Sequence, residues 1–258
     1  MIVNADLSGQ LLQVLRTATG TPALAYDRAP QVLSGGFWAE LLAFSLTDPP
    51  QGWPRELVAR VMPDPGLARK ETVVQAAVAA AGYPTPAVRA SGGPGSSLGR
   101  AFMIMDRAPG SPLLSGLSGT GAIAGALRMA GRLPEILASA MAALHALDPQ
   151  PIRGQLSRAC DVPTTVAGLL DGLRDAAAGY GRADLADAAR WLIGHPAPPA
   201  PEVVCHGDLH PFNLLADGDR VTVVDWSAAL LAPRAYDAAV TTLLLAVRSL
   251  RNGPPPRR

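Results

Sequence analysis

The sequence predicts an α+β chain with two lobes: an N-terminal five-stranded antiparallel sheet with one helix, then a mainly helical C-terminal lobe. Three observations predict this arrangement. Short strand-like segments separated by turns fill residues 1–106, and long apolar patterns with helical spacing dominate residues 107–258. The length of 258 residues suits one large domain or two small ones. We therefore expect an N-terminal lobe over 1–106 and a C-terminal lobe over 107–258.

The composition excludes several classes of protein. A hydrophobic content of 48% is too high for a disordered chain, and a net charge of +1 argues against nucleic acid or an anionic membrane as a partner. Two cysteines do not make a disulfide framework. The chain shows neither a targeting segment nor the roughly 20 apolar residues of a membrane span, so we expect a soluble cytoplasmic protein.

The N-terminal lobe is predicted element by element from these patterns. Residues 6–19 have leucines on one face and predict a short amphipathic helix. Residues 30–63 predict three strands joined by turns, an antiparallel meander. Residues 65–81 predict a capped helix, because Pro and Asp stand near its start and Gly follows its end. Residues 87–90 and 101–106 predict two further strands around a glycine-rich loop.

The C-terminal lobe is predicted to be helical around a short β segment. Residues 203–227 predict two short strands on either side of a polar loop. Pro134 is expected in the first turn of its helix, where proline is tolerated. The predicted helices cover residues 133–147, 162–178, 183–193 and 236–250.

The segment VVCHGDLHPFNLLADGDRVTVVDW holds the densest group of polar side chains beside apolar strands. Such groups are costly unless they have partners or a function. Asp208 and Asn213 are five residues apart on one loop, and a turn at 217–219 brings Asp225 back towards them. One carboxylate could accept a proton from a hydroxyl group, while an amide and a second carboxylate could hold Mg²⁺. These are the parts that phosphoryl transfer requires.

Other interpretations of this segment stay open at this point. His206 and His210 could be loop histidines that cap backbone groups, or the H-x-D-x-H pattern could bind zinc, although zinc needs three or four ligands. Asp208 and Asp225 could be structural carboxylates. Cys205 beside a histidine suggests a nucleophile pair, but adjacent strand residues point to opposite faces, which favours a core cysteine.

The run H-G-D-L-H-P-F-N, followed twelve residues after its Asn by an Asp, resembles the aminoglycoside phosphotransferase and choline kinase-like family. That family has a two-lobed, protein-kinase-like fold. The resemblance extends over most of the chain. LSGGFWAELLAF is similar to the family's phosphate-covering hairpin, ELVARVMP to its third strand, and FMIMDRAPG to the hinge between its lobes.

The resemblance implies a role for each residue of the motif. Asp208 would be the catalytic base that accepts the proton of the substrate hydroxyl, and Asn213 and Asp225 would hold Mg²⁺. His206 would brace the loop, and His210 would be closer to loop architecture than to chemistry. The phosphate donor would be ATP, with GTP not excluded.

The resemblance also implies a nucleotide site in the N-terminal lobe. The backbone of Met105, Asp106 and Arg107 would contact the edge of the adenine. Gly35 and Gly36 would let the hairpin backbone approach the phosphates, although a pair of glycines is also typical of an ordinary hairpin turn.

The basic residue on the third strand departs from the family's usual pattern. The matching position is Arg60, which can neutralise phosphate and pair with a carboxylate. Glu71 is its best candidate partner and Glu56 a weaker alternative. Lys70, the one lysine among 22 basic residues, is a poor substitute.

The C-terminal end also departs from the pattern, because the family continues through several helices that help to build the acceptor pocket. Only 33 residues follow Asp225, so we expect a shortened acceptor side. The expected function is transfer of a phosphoryl group to a small-molecule hydroxyl acceptor; the alternative is a nucleotide-binding pseudokinase or remnant without turnover. A polycationic aminoglycoside needs facing carboxylates, for which the candidates are Asp161, Asp171, Asp175, Asp184 and Asp187.

Overall fold

The computed structural model describes residues 5–33, 39–113 and 122–251. The chain divides into two compact units, Met1–Gly110 and Ser111–Arg258. The fold is α+β and confirms the predicted class, with a five-stranded antiparallel sheet in the first unit and mainly helices in the second. Within the described ranges, no helix combines the length and the apolar character needed to cross a membrane.

The sheet of the first unit has the strand order β1-β2-β3-β5-β4, and every neighbouring pair is antiparallel. The central strands β3 and β5 bear the segments predicted to contact the nucleotide. The strands are β1 (Tyr26–Val32), β2 (Glu40–Leu46), β3 (Glu56–Met62), β4 (Val88–Gly92) and β5 (Ala101–Asp106).

Alternation along β5 separates the two faces of this sheet. Phe102 and Ile104 belong to a core cluster that includes Leu11 and Leu15 of helix α1 (Ala5–Thr19). Met103 belongs to a second cluster with Ala68 of helix α2 (Pro65–Ala80), and Met105 packs against that cluster. Arg60 is directly opposite Met103 in the β3–β5 register, so its side chain is on the α2 face.

The second unit contains two small sheets among five helices of the described chain. Strand β7 (Glu202–Cys205) pairs with β10 (Leu230–Pro233), and β8 (Leu214–Asp217) lies between β6 (Ser111–Pro112) and β9 (Arg220–Val223). The helices are α3 (Ala122–His145), α4 (Pro149–Ala159), α5 (Val166–Gly179), α6 (Ala183–Gly194) and α7 (Ala235–Arg251).

Two of the helix predictions for this unit are wrong. Helix α3 begins eleven residues earlier than expected, so Pro134 lies inside it rather than in its first turn. Proline removes one backbone hydrogen bond there, while Leu137 and Leu144 of the same helix are buried. Helix α4 was not predicted, because its proline-rich start resembles a loop; Pro149 occupies the first helical turn and Asp148 caps it by accepting from Gln150 N.

The prediction of two strands over residues 203–227 is also incomplete. The segment contains three strands. The first belongs to one sheet, and the other two belong to a second sheet. Strand β7 pairs with β10. The sequence LLAP of β10 does not predict a strand, because it is short and ends in proline. The turn at 217–219 does join two antiparallel strands, β8 and β9.

Candidate active site

The polar loop begins where β7 ends, at a glycine that no other residue could replace without strain. Gly207 has φ of +75°, and a Cβ at this position would lie 2.3 Å from the carbonyl oxygen of Ala228. A side chain therefore meets both an unfavourable backbone conformation and a backbone atom. Gly207 lets the chain turn sharply from the buried strand towards Asp208.

His206 is fully buried and connects the loop to the strand that carries Asp225. Its Nε2 donates to Val224 O at 3.2 Å, so Nδ1 is the unprotonated nitrogen that accepts from Asp208 N at 3.3 Å. Burial lowers the pKa of His206, in spite of the nearby carboxylate of Asp237. A neutral imidazole therefore holds the backbone at both Asp208 and Val224.

Asn213 orients the carboxylate of Asp208. Its Nδ2 donates to Asp208 Oδ2 at 3.0 Å and to Asp208 O at 2.9 Å. These two bonds use both hydrogens of the amide, which leaves Asn213 Oδ1 as the atom able to bind a cation. His210 Nε2 lies 3.5 Å from Asp208 Oδ1, and His210 Nδ1 accepts from Phe212 N.

The surroundings of Asp208 favour its ionised form. Burial raises the pKa of this carboxyl group, but the contacts with His210, His206 and Asn213 lower it by more, so the pKa lies below its ordinary value. Asp208 is consequently a carboxylate at neutral pH and can accept a hydrogen bond or a proton.

Asp225 follows β9 in a strained backbone conformation. Its φ of +68° is the one positive value of a non-glycine residue in the described chain. Ser227 Oγ donates to Asp225 Oδ1 at 2.7 Å, and Val224 N donates to Asn213 O at 3.0 Å. The β8–β9 hairpin and the bonds of His206 thus bring Asp208, Asn213 and Asp225 into one neighbourhood.

Asp237 holds the start of the loop through hydrogen bonds to its backbone. It is fully buried at the start of α7 and accepts from His206 N at 3.0 Å, Gly207 N at 2.7 Å and His145 Nε2 at 2.9 Å. Burial raises the pKa of Asp237, but the hydrogen bonds from His145 and the two backbone groups lower it below its ordinary value. The role of His145 could not be predicted from the sequence, where this residue is visible only as part of an apolar helix.

His145, Cys205 and Asp237 each place one potential metal-ligand atom within 4.8 Å of the others. The hydrogen bond from His145 Nε2 already occupies that ring nitrogen, and burial raises the pKa of the Cys205 thiol to about 12. The cluster is therefore hydrogen-bonded in its present form, and Cys205 is a core residue as predicted. The ring nitrogens of His206 and Nδ1 of His210 are also occupied, which argues against the H-x-D-x-H zinc interpretation.

In the first unit, Arg60 pairs with Glu71 of helix α2. Arg60 Nε lies 3.1 Å from Oε1 and 3.2 Å from Oε2 of Glu71. Both side chains are buried, Glu71 to 2% exposure. The alternative partner, Glu56, instead pairs with Arg28 and Arg107.

The segment predicted to contact adenine is largely engaged in the sheet. Asp106 N donates to Ala87 O at 3.0 Å and Arg107 N donates to Glu56 O at 3.1 Å. The Asp106 carboxylate also receives two short hydrogen bonds from Arg89. A purine could therefore not use the N–H groups of Asp106 and Arg107 without opening the sheet. Gly35 and Gly36 lie outside the described residues.

The aspartates considered for a polycationic acceptor are mostly paired with arginines of their own helices. Arg174 bonds to Asp171 at 2.6 Å and to Asp175 at 2.9 Å. On α6, Asp184 and Asp187 pair with neighbouring arginines. The two helices together hold four aspartates and two arginines, and Arg182 directly before α6 brings the net charge of this region to −1.

A family model described as "Phosphotransferase enzyme family" matches residues 33–255 of this chain. No curated protein matches the sequence.

Solved structures of low sequence identity share the fold. A putative aminoglycoside phosphotransferase from Ralstonia eutropha JMP134 is 21% identical with a TM-score of 0.61, over 96% of this chain and 71% of that one. A choline/ethanolamine kinase family protein from Mesorhizobium loti is 19% identical with a TM-score of 0.57, over 91% and 70%. The GDP and kanamycin complex of the phosphotransferase APH(2")-IIIa is 18% identical with a TM-score of 0.57, over 93% and 82%.

Proposed function

We propose, because the chain belongs to the phosphotransferase enzyme family, that it transfers the γ-phosphoryl group of ATP, or of GTP, to a hydroxyl group of a small molecule. The observation that carries this proposal is the grouping of Asp208, Asn213 and Asp225 around a neutral, buried His206. Two carboxylates and an amide on a rigid loop are the parts that phosphoryl transfer needs, because that reaction depends mainly on positioning and charge stabilisation.

Asp208 is proposed as the base that orients the acceptor hydroxyl. Its carboxylate is ionised at neutral pH, and the amide of Asn213 fixes the direction of Oδ2. The hydroxyl would donate a hydrogen bond to this carboxylate. Its proton would move to an oxygen of Asp208 as its oxygen bonds to the γ-phosphorus and the bond from that phosphorus to the β-phosphate oxygen breaks, which releases the nucleoside diphosphate.

Asn213 and Asp225 are proposed to hold Mg²⁺. The donor set suits this ion, which prefers oxygen ligands: Asn213 offers Oδ1, and Ser227 orients the carboxylate of Asp225. When bound, Mg²⁺ neutralises charge on the phosphate groups of the nucleotide.

Arg60 is proposed as the cation that contacts the phosphates of the donor. Glu71 restrains the guanidinium through Nε, so the two terminal nitrogens keep a defined orientation. Relatives of the fold have been crystallised with ADP and with GDP, which supports a purine nucleotide as donor and leaves its base open.

The acceptor is proposed to be an alcohol of low positive charge. Structures of related fold contain hygromycin B or kanamycin. In this chain a polycation at α5 and α6 would have to displace Arg174 and Arg182 from their aspartates to gain comparable contacts. A sugar or amino alcohol with at most one amine requires no such exchange.

The experiment that tests the function is a panel of hydroxyl acceptors, including neutral sugars, amino alcohols and aminoglycosides, measured by ADP or GDP release with Mg²⁺ present. The proposal predicts acceptor-dependent release with at least one compound. Nucleotide binding without release across the panel would contradict it and support the nucleotide-binding pseudokinase.

The assignment of the metal ligands has its own measurement, the Kd for ATP with and without Mg²⁺. We expect Mg²⁺ to strengthen binding in the wild type and in Asp208→Asn, and to lose this effect in Asp225→Asn. An undiminished Mg²⁺ effect in Asp225→Asn would contradict the assigned role.

A further inference from the structure

Helix α2 carries a buried amide that the proposed function has not used. Gln75 is 1% exposed and lies one turn after Glu71, on the same side of the helix. Its Nε2 donates to Pro86 O at 2.9 Å and to Met105 Sδ at 3.2 Å. Both hydrogens of the amide therefore have partners outside the helix.

An apolar residue would fill this position with less desolvation cost. The buried positions nearest to it in the helix, Val74 and Val78, are apolar, whereas Lys70 and Glu71 in the preceding turn are buried and charged. Burying an amide is unfavourable unless its hydrogen bonds are made, and a thioether sulfur is a weak acceptor. The directional hydrogen bonds of this amide therefore fix the positions of Met105 and of the chain before β4 relative to α2.

Helix α2 contacts both parts of the nucleotide site that is expected in this unit, one through Glu71 and the other through Gln75. Glu71 restrains Arg60, which is assigned to the phosphates, and Met105 belongs to the segment that the family resemblance assigns to the base. Gln75 reaches Met105 from the helix that carries Glu71, so one helix holds a side chain of each part.

We propose that Gln75 is a positioning residue for the donor nucleotide, which holds Met105 in the arrangement that accepts the base. This inference rests on the proposed function. Gln75 itself contacts neither the base nor the phosphates in this assignment; it acts through Met105.

The test compares binding of ATP with binding of inorganic tripolyphosphate, which has no base. Gln75→Met keeps the length of the side chain and removes both donors. We expect its Kd for Mg·ATP to rise roughly three- to tenfold, the effect of one lost hydrogen bond, while the Kd for tripolyphosphate changes less than twofold. Met105→Leu removes the acceptor sulfur and should raise the Kd for ATP similarly.

The double variant distinguishes positioning from two independent effects. If Gln75 acts through Met105, the double variant binds ATP no more weakly than the worse single variant. Val78→Ala serves as the control for a general loss of stability in α2, because Val78 is equally buried and its side chain is apolar. It should lower the melting temperature and leave the ratio of the two Kd values unchanged.

Three results would overturn the inference: an unchanged Kd for ATP in Gln75→Met, equal weakening of ATP and tripolyphosphate, or additive effects in the double variant. Each leaves the proposed function standing, because wild-type binding of Mg·ATP is measured in the same series. A wild type that binds no nucleotide would refute the proposed function and this inference together.

Discussion

Replacement of Asp237 by Asn is the sharpest test of how the catalytic loop is held. One buried carboxylate accepts from His206 N, Gly207 N and His145 Nε2. An asparagine amide has one acceptor oxygen, so in either orientation its NH₂ group faces at least one of these donors. At least one donor thus loses its acceptor, while the volume of the side chain at position 237 is preserved.

The magnitude follows from the number of donors affected. One buried donor without an acceptor costs about 1–3 kcal/mol, and the two remaining bonds each lose about 1 kcal/mol of charge assistance. Asp237→Asn should therefore lower the free energy of unfolding by roughly 3–5 kcal/mol, out of a typical 5–15 kcal/mol. Asp237→Ala leaves all three donors without an acceptor and should cost about 3–9 kcal/mol, enough to unfold many domains.

The assay is urea denaturation of the two proteins at several pH values. The pKa of folded Asp237 lies below its ordinary value, so its contribution is fully present above about pH 4 and is lost as the pH falls through the folded pKa. The difference between wild type and Asp237→Asn should be constant from pH 7 to 5 and shrink below pH 4. A difference under 1 kcal/mol at pH 7, or one that persists unchanged to pH 3, would refute the reasoning.

The further predictions concern the same loop. Gly207→Ala should destabilise by about 1–3 kcal/mol more than Gly218→Ala in urea denaturation, because both have positive φ but only Gly207 would bring a Cβ 2.3 Å from Ala228 O; equal losses would contradict the steric argument. Burial lowers the pKa of His206 in the folded protein, so unfolding takes up a proton below about pH 6.5. The free energy of unfolding should therefore decrease as the pH is lowered, by up to about 1.4 kcal/mol per pH unit. His206→Gln should lack this slope between pH 6.5 and 5, and an unchanged slope would show that another group causes it.

The sequence was most informative where chemistry depends on short spacing. The segment from His206 to Asp225 could be identified because its loop and hairpin are local, so the spacing of the residues determines which of them meet. The five-stranded sheet was predictable for the same reason, since its strands alternate and are separated by recognisable turns. The partner of Arg60 was predictable because Glu71 follows on the next element.

The remaining features depend on contacts between distant parts of the chain. The bond between His145 and Asp237 joins residues 92 positions apart, and no local pattern in an alanine-rich helix indicates it. Strand β10 forms because β7 offers it a paired edge, although its own four residues end in proline. The bonds that engage the N–H groups of Asp106 and Arg107 likewise follow from sheet register.

The central claim is that Asp208 orients and deprotonates the acceptor hydroxyl, and the most direct test is the rate of phosphoryl transfer in Asp208→Asn. The matched control is Asp219→Asn, an exposed aspartate in the turn before β9. We expect Asp208→Asn to lose about 10²–10⁴-fold in kcat with the Kd for Mg·ATP within about threefold of wild type, while Asp219→Asn keeps wild-type kcat. Wild-type turnover in Asp208→Asn would contradict the account.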